Sequence, residues 1–347
     1  MNQTRTLRIP SGVLLGAGIL AYAMGTAHAA DLTVTAYGGI WEQKLRECYV
    51  QPFEKKTGKT VAVVLGSPTQ WINQIAASPA HPPIDVLMQN ADTVGLTAKR
   101  GLIEPFTDEK LPHLKEIGKK FREVGKGYAT ILNYGAMGLA YNSKAVKNPP
   151  KTWKEFVDGT IAGKWTASIP GINYQSTPTV VIWAFAHFFG GGVNNIQPGL
   201  DEIKKMKASG HLIFWNDVNE FLSQIKSGDA DLGMYWDGRT WAFHDNGNPD
   251  IEYLNPKPGA VIQPNLISKV KNGSPLGWKF IDFVLSPEPQ ACWGNALQYG
   301  MSNTQVKFSP KVAPRITKLP EILWPPFDQL ASHQGAWVEQ WNKTIGN

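Results

Sequence analysis

Between residues 32 and 88 the hydrophobic period of this sequence switches back and forth, and that rhythm restricts the fold more than any other feature. Leu32-Thr33-Val34-Thr35-Ala36-Tyr37 alternates and is rich in β-branched residues, as a strand is, and Gly38-Gly39 break it. Over 40–57, Trp41, Leu45, Cys48, Tyr49 and Phe53 recur at helical spacing, and Gly58 supplies the stop. Val61-Ala62-Val63-Val64-Leu65 is a continuous apolar run of the kind found in a buried parallel strand. A helix is expected over 71–77 and a further strand over 84–88. Strand, helix, strand, helix, strand defines an α/β domain with a mainly parallel sheet.

The pattern continues at greater length. Residues 134–141 read as a Gly-rich apolar strand, and Pro149-Pro150 with a Thr152 cap open a short helix over 153–157. Residues 165–235 alternate strand and helix again, ending in Asp231-Leu232-Gly233-Met234-Tyr235-Trp236, a strand with aromatic residues at its carboxyl end. Pro256, Pro258 and Gly259 punctuate the next link, and a long helix is expected over 275–285. At 347 residues the chain has room for two domain-sized units. It reads as two α/β lobes, each discontinuous, with crossovers near 138–142 and 255–262.

The first thirty residues stand apart. They carry Arg5 and Arg8, no acid, an apolar run from Val13 to about Met24, and small residues at Ala27 and Ala29. This is the layout of a secretory signal peptide, with cleavage expected near Ala29 or Ala30. The alternative, a membrane anchor, needs a longer apolar run. Removing Arg5 and Arg8 from the 34 basic residues leaves 32 against 28 acidic ones. So small an excess, scattered along the chain, gives no nucleic-acid footprint. Two cysteines remain, Cys48 and Cys292. In an oxidising compartment they form either one disulfide or two separate buried thiols, and the sequence leaves both open.

Catalytic motifs fail one by one. Thr57-Gly58-Lys59-Thr60 mimics the end of a phosphate-cradling loop, but Phe53 occupies the position of its first glycine, and the segment ends a helix instead of starting one. Gly190-Gly191-Gly192 has no G-x-G-x-x-G frame and reads as a turn. His81, His113, His187, His211, His244 and His333 never fall at metal-binding spacing. No Ser lies in G-x-S-x-G, and neither Cys has a neighbouring His. No cofactor or metal is expected.

The aromatic residues are more informative. Of the 13 Trp, several sit beside Gly at the carboxyl ends of expected strands, where open α/β sheets bind ligands. Tyr37-Gly38-Gly39-Ile40-Trp41 follows the first strand and Thr69-Gln70-Trp71 the second. Tyr235-Trp236-Asp237-Gly238-Arg239-Thr240-Trp241 follows a late one. Flat rings at a cleft give face-on recognition at small entropic cost. Arg239, one of five Arg after residue 30, lies in the last of these loops. Its guanidinium is either the fork for a ligand carboxylate or phosphonate, or half of an ion pair with Asp237 or another acid. The amides after Gly38 and Gly39 are a further candidate anion site.

A set of short landmarks then carries a resemblance. They include Phe53-Glu54-Lys55-Lys56-Thr57-Gly58, Ile84-Asp85-Val86-Leu87, Gly101-Leu102-Ile103-Glu104-Pro105 and Tyr141-Asn142-Ser143-Lys144. Gly228-Asp229-Ala230-Asp231-Leu232-Gly233-Met234, Phe280-Ile281-Asp282-Phe283 and Tyr299-Gly300 follow. In this order and spacing the chain resembles periplasmic solute-binding proteins of ABC transporters, and is most similar to the spermidine/putrescine-binding branch. The resemblance implies an α/β, two-lobed, type II-like periplasmic-binding-protein fold, each lobe a mixed but mainly parallel sheet flanked by helices, with ligand held between the lobes. It implies lobes of 31–138 plus 262–305 and of 139–261 plus 306–347. The implied partners are a small-molecule ligand and a membrane permease with its cytoplasmic ATPase. The implied state is a periplasmic monomer that performs no catalysis.

Polyamine binders of this family stack the ligand between aromatic rings, at positions matching Tyr37, Trp236 and Tyr299, and pair its ammonium groups with acids. Those acids do not carry over. Gln263 and Asn265 stand where such proteins have Trp and Asp, and Gly171, Ile172, Asn173 and Tyr174 stand where they have acids. The expected site is therefore Tyr37, Gly38, Gly39, Trp41, Trp71, Asn173, Tyr174, Trp236, Arg239, Gln263, Asn265 and Tyr299. It would hold an anionic, zwitterionic or neutral polar solute, with polyamine as the second reading. A chemosensory receptor or an enzyme on the same fold are the remaining alternatives.

Overall fold

The computed structural model describes residues 30–174 and 178–346, so the expected signal peptide lies outside the described residues. The first strands are β1 (Leu32–Ala36), β2 (Val61–Leu65), β3 (Val86–Asn90) and β4 (Thr130–Asn142). They are followed by β5 (Ala167–Pro170), β6 (Leu212–Trp215), β7 (Leu232–Trp236) and β8 (Ile251–Leu254). The last are β9 (Ala260–Lys269), β10 (Gly300–Met301) and β11 (Ile322–Leu323). All join one sheet whose main path runs β2-β1-β3-β9-β4-β7-β5-β6.

The two ends of this path are built alike. On one side β1 pairs in parallel with β2 and β3; on the other β5 pairs in parallel with β6 and β7. Two antiparallel strands, β9 and β4, join them. Met137 marks the exchange, because it pairs with Val261 of β9 and with Trp236 of β7. The fold is thus a two-lobed α/β structure in which a mainly parallel unit stands on either side of a pair of long crossing strands.

Local sequence explains the elements. The stripe over 40–57 folds as one continuous helical rod: α-helix Ile40–Leu45, a π-helical turn Arg46–Val50, and α-helix Gln51–Thr57. Trp41, Leu45, Cys48, Tyr49 and Phe53 are all buried, as a helical period requires, and Gly58 closes the rod at φ 69°. The Thr152 hydroxyl accepts from the Glu155 amide and caps Trp153–Ile161. Helix Phe327–Thr344 packs on both Ala91–Lys99 and Pro178–Phe188, so it lies against both lobes. Among the described residues, no helix is long and apolar enough to cross a membrane.

The open question about the cysteines resolves as a bridge. Cys48, buried in the π turn, is joined to Cys292 on the exposed face of helix Pro287–Leu297, at a sequence separation of 244. Cys292 is therefore not a separate buried thiol, the second reading that the sequence left open. Beside the bridge Tyr49 stacks on Trp293 with centroids 5.0 Å apart, so covalent and aromatic contacts fasten the same two helices. Replacing both cysteines by Ser should lower unfolding free energy by about 2–5 kcal/mol. Urea titration of the oxidised protein and the double variant measures this; coincident midpoints would show that the bridge adds nothing.

Candidate ligand-binding site

Because the outer strands run parallel within each lobe, their carboxyl ends gather at one place. Tyr37 and Gly38 follow β1, Ser67 and Pro68 follow β2, and Asn90 ends β3. Tyr174 follows β5, and Trp236 ends β7 one turn before Arg239. The crossing strands supply Gly135 from β4 and, two residues apart on one face of β9, Gln263 and Asn265. With Trp41 and Tyr299 these side chains line a cleft of about 280 Å³.

Aromatic packing sets the wall. Tyr37 meets Trp41 edge to face at 5.3 Å, and Trp41 lies 5.7 Å from Tyr299. Behind them Trp41 rests on Trp293 at 5.2 Å. The Tyr299 ring sits against bare backbone. A Cβ on Gly135 would come within 2.8 Å of its Cε1, and one on Gly238 within 2.7 Å, so both positions have to be glycine for the ring to lie there. In the other lobe Tyr174 packs on Trp215 at 4.6 Å. Burial pushes the Tyr37 and Tyr299 hydroxyls well above their usual pKa, so they stay neutral hydrogen-bonding groups.

Arg239 is the charged side chain of the lining. Burial works against its charge. Tyr299, Tyr235, Tyr174 and Asp217 around it nevertheless hold its pKa above the ordinary guanidinium value. Among the described residues no carboxylate forms an ion pair with it. Asp237, the local partner that sequence allowed, is engaged elsewhere. Its Oδ1 accepts from the amides of Ala136 (3.1 Å) and Gly238 (2.7 Å), and its Oδ2 accepts from the Thr317 hydroxyl (3.0 Å). A narrower cavity of about 30 Å³ shares Asn90 and Gln263 with the cleft and is lined also by Asp92. There Asp92 Oδ1 and Gln263 Oε1 are buried without a hydrogen-bond partner, and burial raises the Asp92 pKa.

The expected residues divide as follows. Tyr37, Gly38, Trp41, Tyr174, Trp236, Arg239, Gln263, Asn265 and Tyr299 all line the cleft. Gly39 only precedes the helix at Ile40, and Asn173 is exposed in a turn. Trp71 is fully buried, 5.5 Å behind Tyr37, where it supports the wall from the core. Trp241 lies under the guanidinium of Arg315 at 4.5 Å and outside the cleft lining. Sequence reasoning did not find Ser67, Pro68, Asn90 or Gly135. Asn90 was within its reach, since it is the carboxyl end of a strand expected two residues too early.

Two parallel lobes joined by crossing strands, with an aromatic cleft where their strand ends meet, are the architecture of a two-lobed solute receptor. The chain belongs to the bacterial extracellular solute-binding protein family, whose sequence pattern it matches over residues 48–321. A periplasmic protein of Salmonella typhimurium (strain LT2), provisionally assigned as 2-aminoethylphosphonate-binding, is 24% identical over 314 residues, covering 84% of this chain and 85% of that protein. The spermidine/putrescine-binding periplasmic protein of the same strain is 23% identical over 317 residues, covering 86% of this chain and 87% of the other. The crystal structure of an extracellular solute-binding protein from Bordetella parapertussis, also provisionally assigned, superposes with a TM-score of 0.83 at 25% identity, over 90% of this chain and 98% of that one. The chain is the solute-binding component of an ABC transporter.

The buried acid beneath the cleft has a measurable signature. Burial pushes the Asp237 carboxyl up to about 7, although its backbone and Thr317 hydrogen bonds pull the other way. The folded state then holds a proton that the unfolded chain releases near pH 4. Stability should therefore fall as pH rises from that value through 7. Asp237→Asn keeps an acceptor for the two amides and cannot ionise, so its melting temperature should stay nearly level between pH 5.5 and 8.5 while that of the parent drops. Parallel curves for the two proteins would show that Asp237 does not titrate in this range.

Proposed function

We propose that the cleft captures a small organic anion or zwitterion, a carboxylate or phosphonate, with its charged head on Arg239 and its body between the aromatic rings. The observation that carries this is a guanidinium that no carboxylate pairs with, in a wall that, among the described residues, contains no Asp or Glu. Five donors in a planar fork suit a carboxylate or phosphonate. Neutral Asn90, Gln263 and Asn265 satisfy the remaining polar atoms without repelling an anion. The partnerless Asp92 oxygen beside Asn90 supports a zwitterion whose ammonium end points that way.

A polyamine fits this chemistry poorly. Its ammonium groups would meet Arg239 and no carboxylate in the lining, and an unpaired buried charge costs several kcal/mol. Catalysis has little to draw on. The lining holds no nucleophile paired with a base, and among the described residues no cluster of three or more His, Cys, Asp or Glu is suited to a metal.

In this reading the chain is exported by cleavage near Ala29 or Ala30, works in the periplasm as a monomer, and hands its solute to a permease driven by a cytoplasmic ATPase. The lobes are 31–138 with 262–305 and 139–261 with 306–347, moving about hinges near 138–142 and 255–262. The exchange of β4 partners at Met137 favours the first hinge.

A thermal-shift panel tests the ligand class by setting carboxylates, phosphonates and ω-amino acids against putrescine and spermidine. Ligand at a hundred times its dissociation constant adds about 2.7 kcal/mol. Stabilisation is expected from the anions and zwitterions only; stabilisation by polyamines overturns the proposal. Arg239→Ala should weaken the anion by about 2–5 kcal/mol, and unchanged affinity would make Arg239 structural.

A further inference from the structure

A second cavity of about 260 Å³ adjoins the cleft and shares Trp41, Arg239 and Tyr299 with it. The chemistry of the two chambers differs. The cleft is lined on its polar side by Ser67, Asn90, Gln263 and Asn265, whereas the second chamber, open to solvent, is lined mainly by Ile40, Leu222, Ala242, Phe243 and Leu297. Asn246 is the one other polar side chain there besides the shared residues. Ile40 is 49% exposed, although it opens a helix whose next large residue, Trp41, is buried. With Ala242, also exposed, and the half-buried Leu222 and Phe243 it forms a contiguous apolar surface beside the cleft, which a ligand gains by covering.

We propose that this side chamber is a second subsite, which receives an apolar substituent, alkyl or aryl, of the same anion whose head is held by Arg239. The inference rests on reading the cleft as an anion or zwitterion site. Arg239 belongs to the walls of both chambers, so a head group on its donors has the apolar chamber directly beside it. The planar guanidinium and its aliphatic stem tolerate apolar contact while the N–H edge serves the anion.

Calorimetric titration of the full chain tests this with two homologous series. Acetate, butanoate, hexanoate and 3-phenylpropanoate form the first; methyl-, butyl- and phenylphosphonate form the second. Affinity should rise about fourfold for each methylene that enters the chamber. Ala242→Trp fills the chamber from an exposed position and should cut the hexanoate-to-acetate affinity ratio at least tenfold. Leu222→Ala removes a wall contact and should lower the same ratio severalfold. Affinity that is flat or falling along both series while Arg239→Ala still abolishes binding overturns the subsite alone and leaves the Ile40 face to a protein partner. Ratios unchanged in both chamber variants overturn it equally. Absence of any anion binding, or binding that survives Arg239→Ala, overturns the anion reading and the subsite with it.

Discussion

One buried carboxyl group holds the centre of this molecule together. Asp237 receives hydrogen bonds from Ala136 on β4, from Gly238 in its own helix and from Thr317 in the segment before β11. Thr317 in turn accepts from the Tyr134 hydroxyl and lies within 3.4 Å of Asn255, next to the link between β8 and β9. Three separate passages of chain between the lobes therefore meet around one acid. A buried carboxyl that lost these donors would be costly in either protonation state. The cleft inherits its geometry from this arrangement. Trp236 and Arg239 lie on either side of Asp237 in sequence, and the Tyr299 ring rests on Gly238, one of its amide donors, and on Gly135, the neighbour of the other.

Much of this was legible from the sequence because period and punctuation are local properties. The stripe from Trp41 to Phe53 and its Gly58 stop needed no tertiary information, nor did the apolar run of β2. The rule that ligands gather at strand ends then brought Tyr37, Trp41, Trp236 and Arg239 forward. What stayed hidden depends on long-range contact. Gly135 is in the interior of β4, and its role appears only when Tyr299, far along the chain, lies on it. Trp71 looked like a cleft residue, but the direction of its ring is set by the core behind Tyr37. Helix Phe327–Thr344 was missed because its buried residues, Phe327, Leu330, Trp337 and Trp341, are separated by polar turns and Gly335.

The fate of Arg239 shows how local geometry decides between readings. Asp237, Arg239 and Trp241 share helix Asp237–Asp245, which turns about 100° per residue. Arg239 thus points roughly opposite to Asp237, while Trp241 returns towards it. The same rotation keeps the acid in the interior, frees the guanidinium for the cleft and carries Trp241 away to Arg315. The relatives share the architecture, yet their names attach to solutes as different as an aminophosphonate and polyamines. Ligand choice in such a fold is therefore carried by a few side chains at the strand ends, with the framework held constant. In this chain the cleft lining combines aromatic rings with neutral amides and one cation.

The path of the chain also governs how the molecule is assembled. β9 completes the sheet beside β3, and helix Pro287–Leu297 packs on the rod over 40–57, so the amino-terminal lobe lacks part of its own core until residues beyond 260 have been delivered. Its Cys48 meanwhile has a single possible partner, because the chain contains only two cysteines. Oxidation within one molecule therefore has one product and needs no reshuffling. Once formed, the bond records that the first lobe has recruited the late segment on which its closure depends.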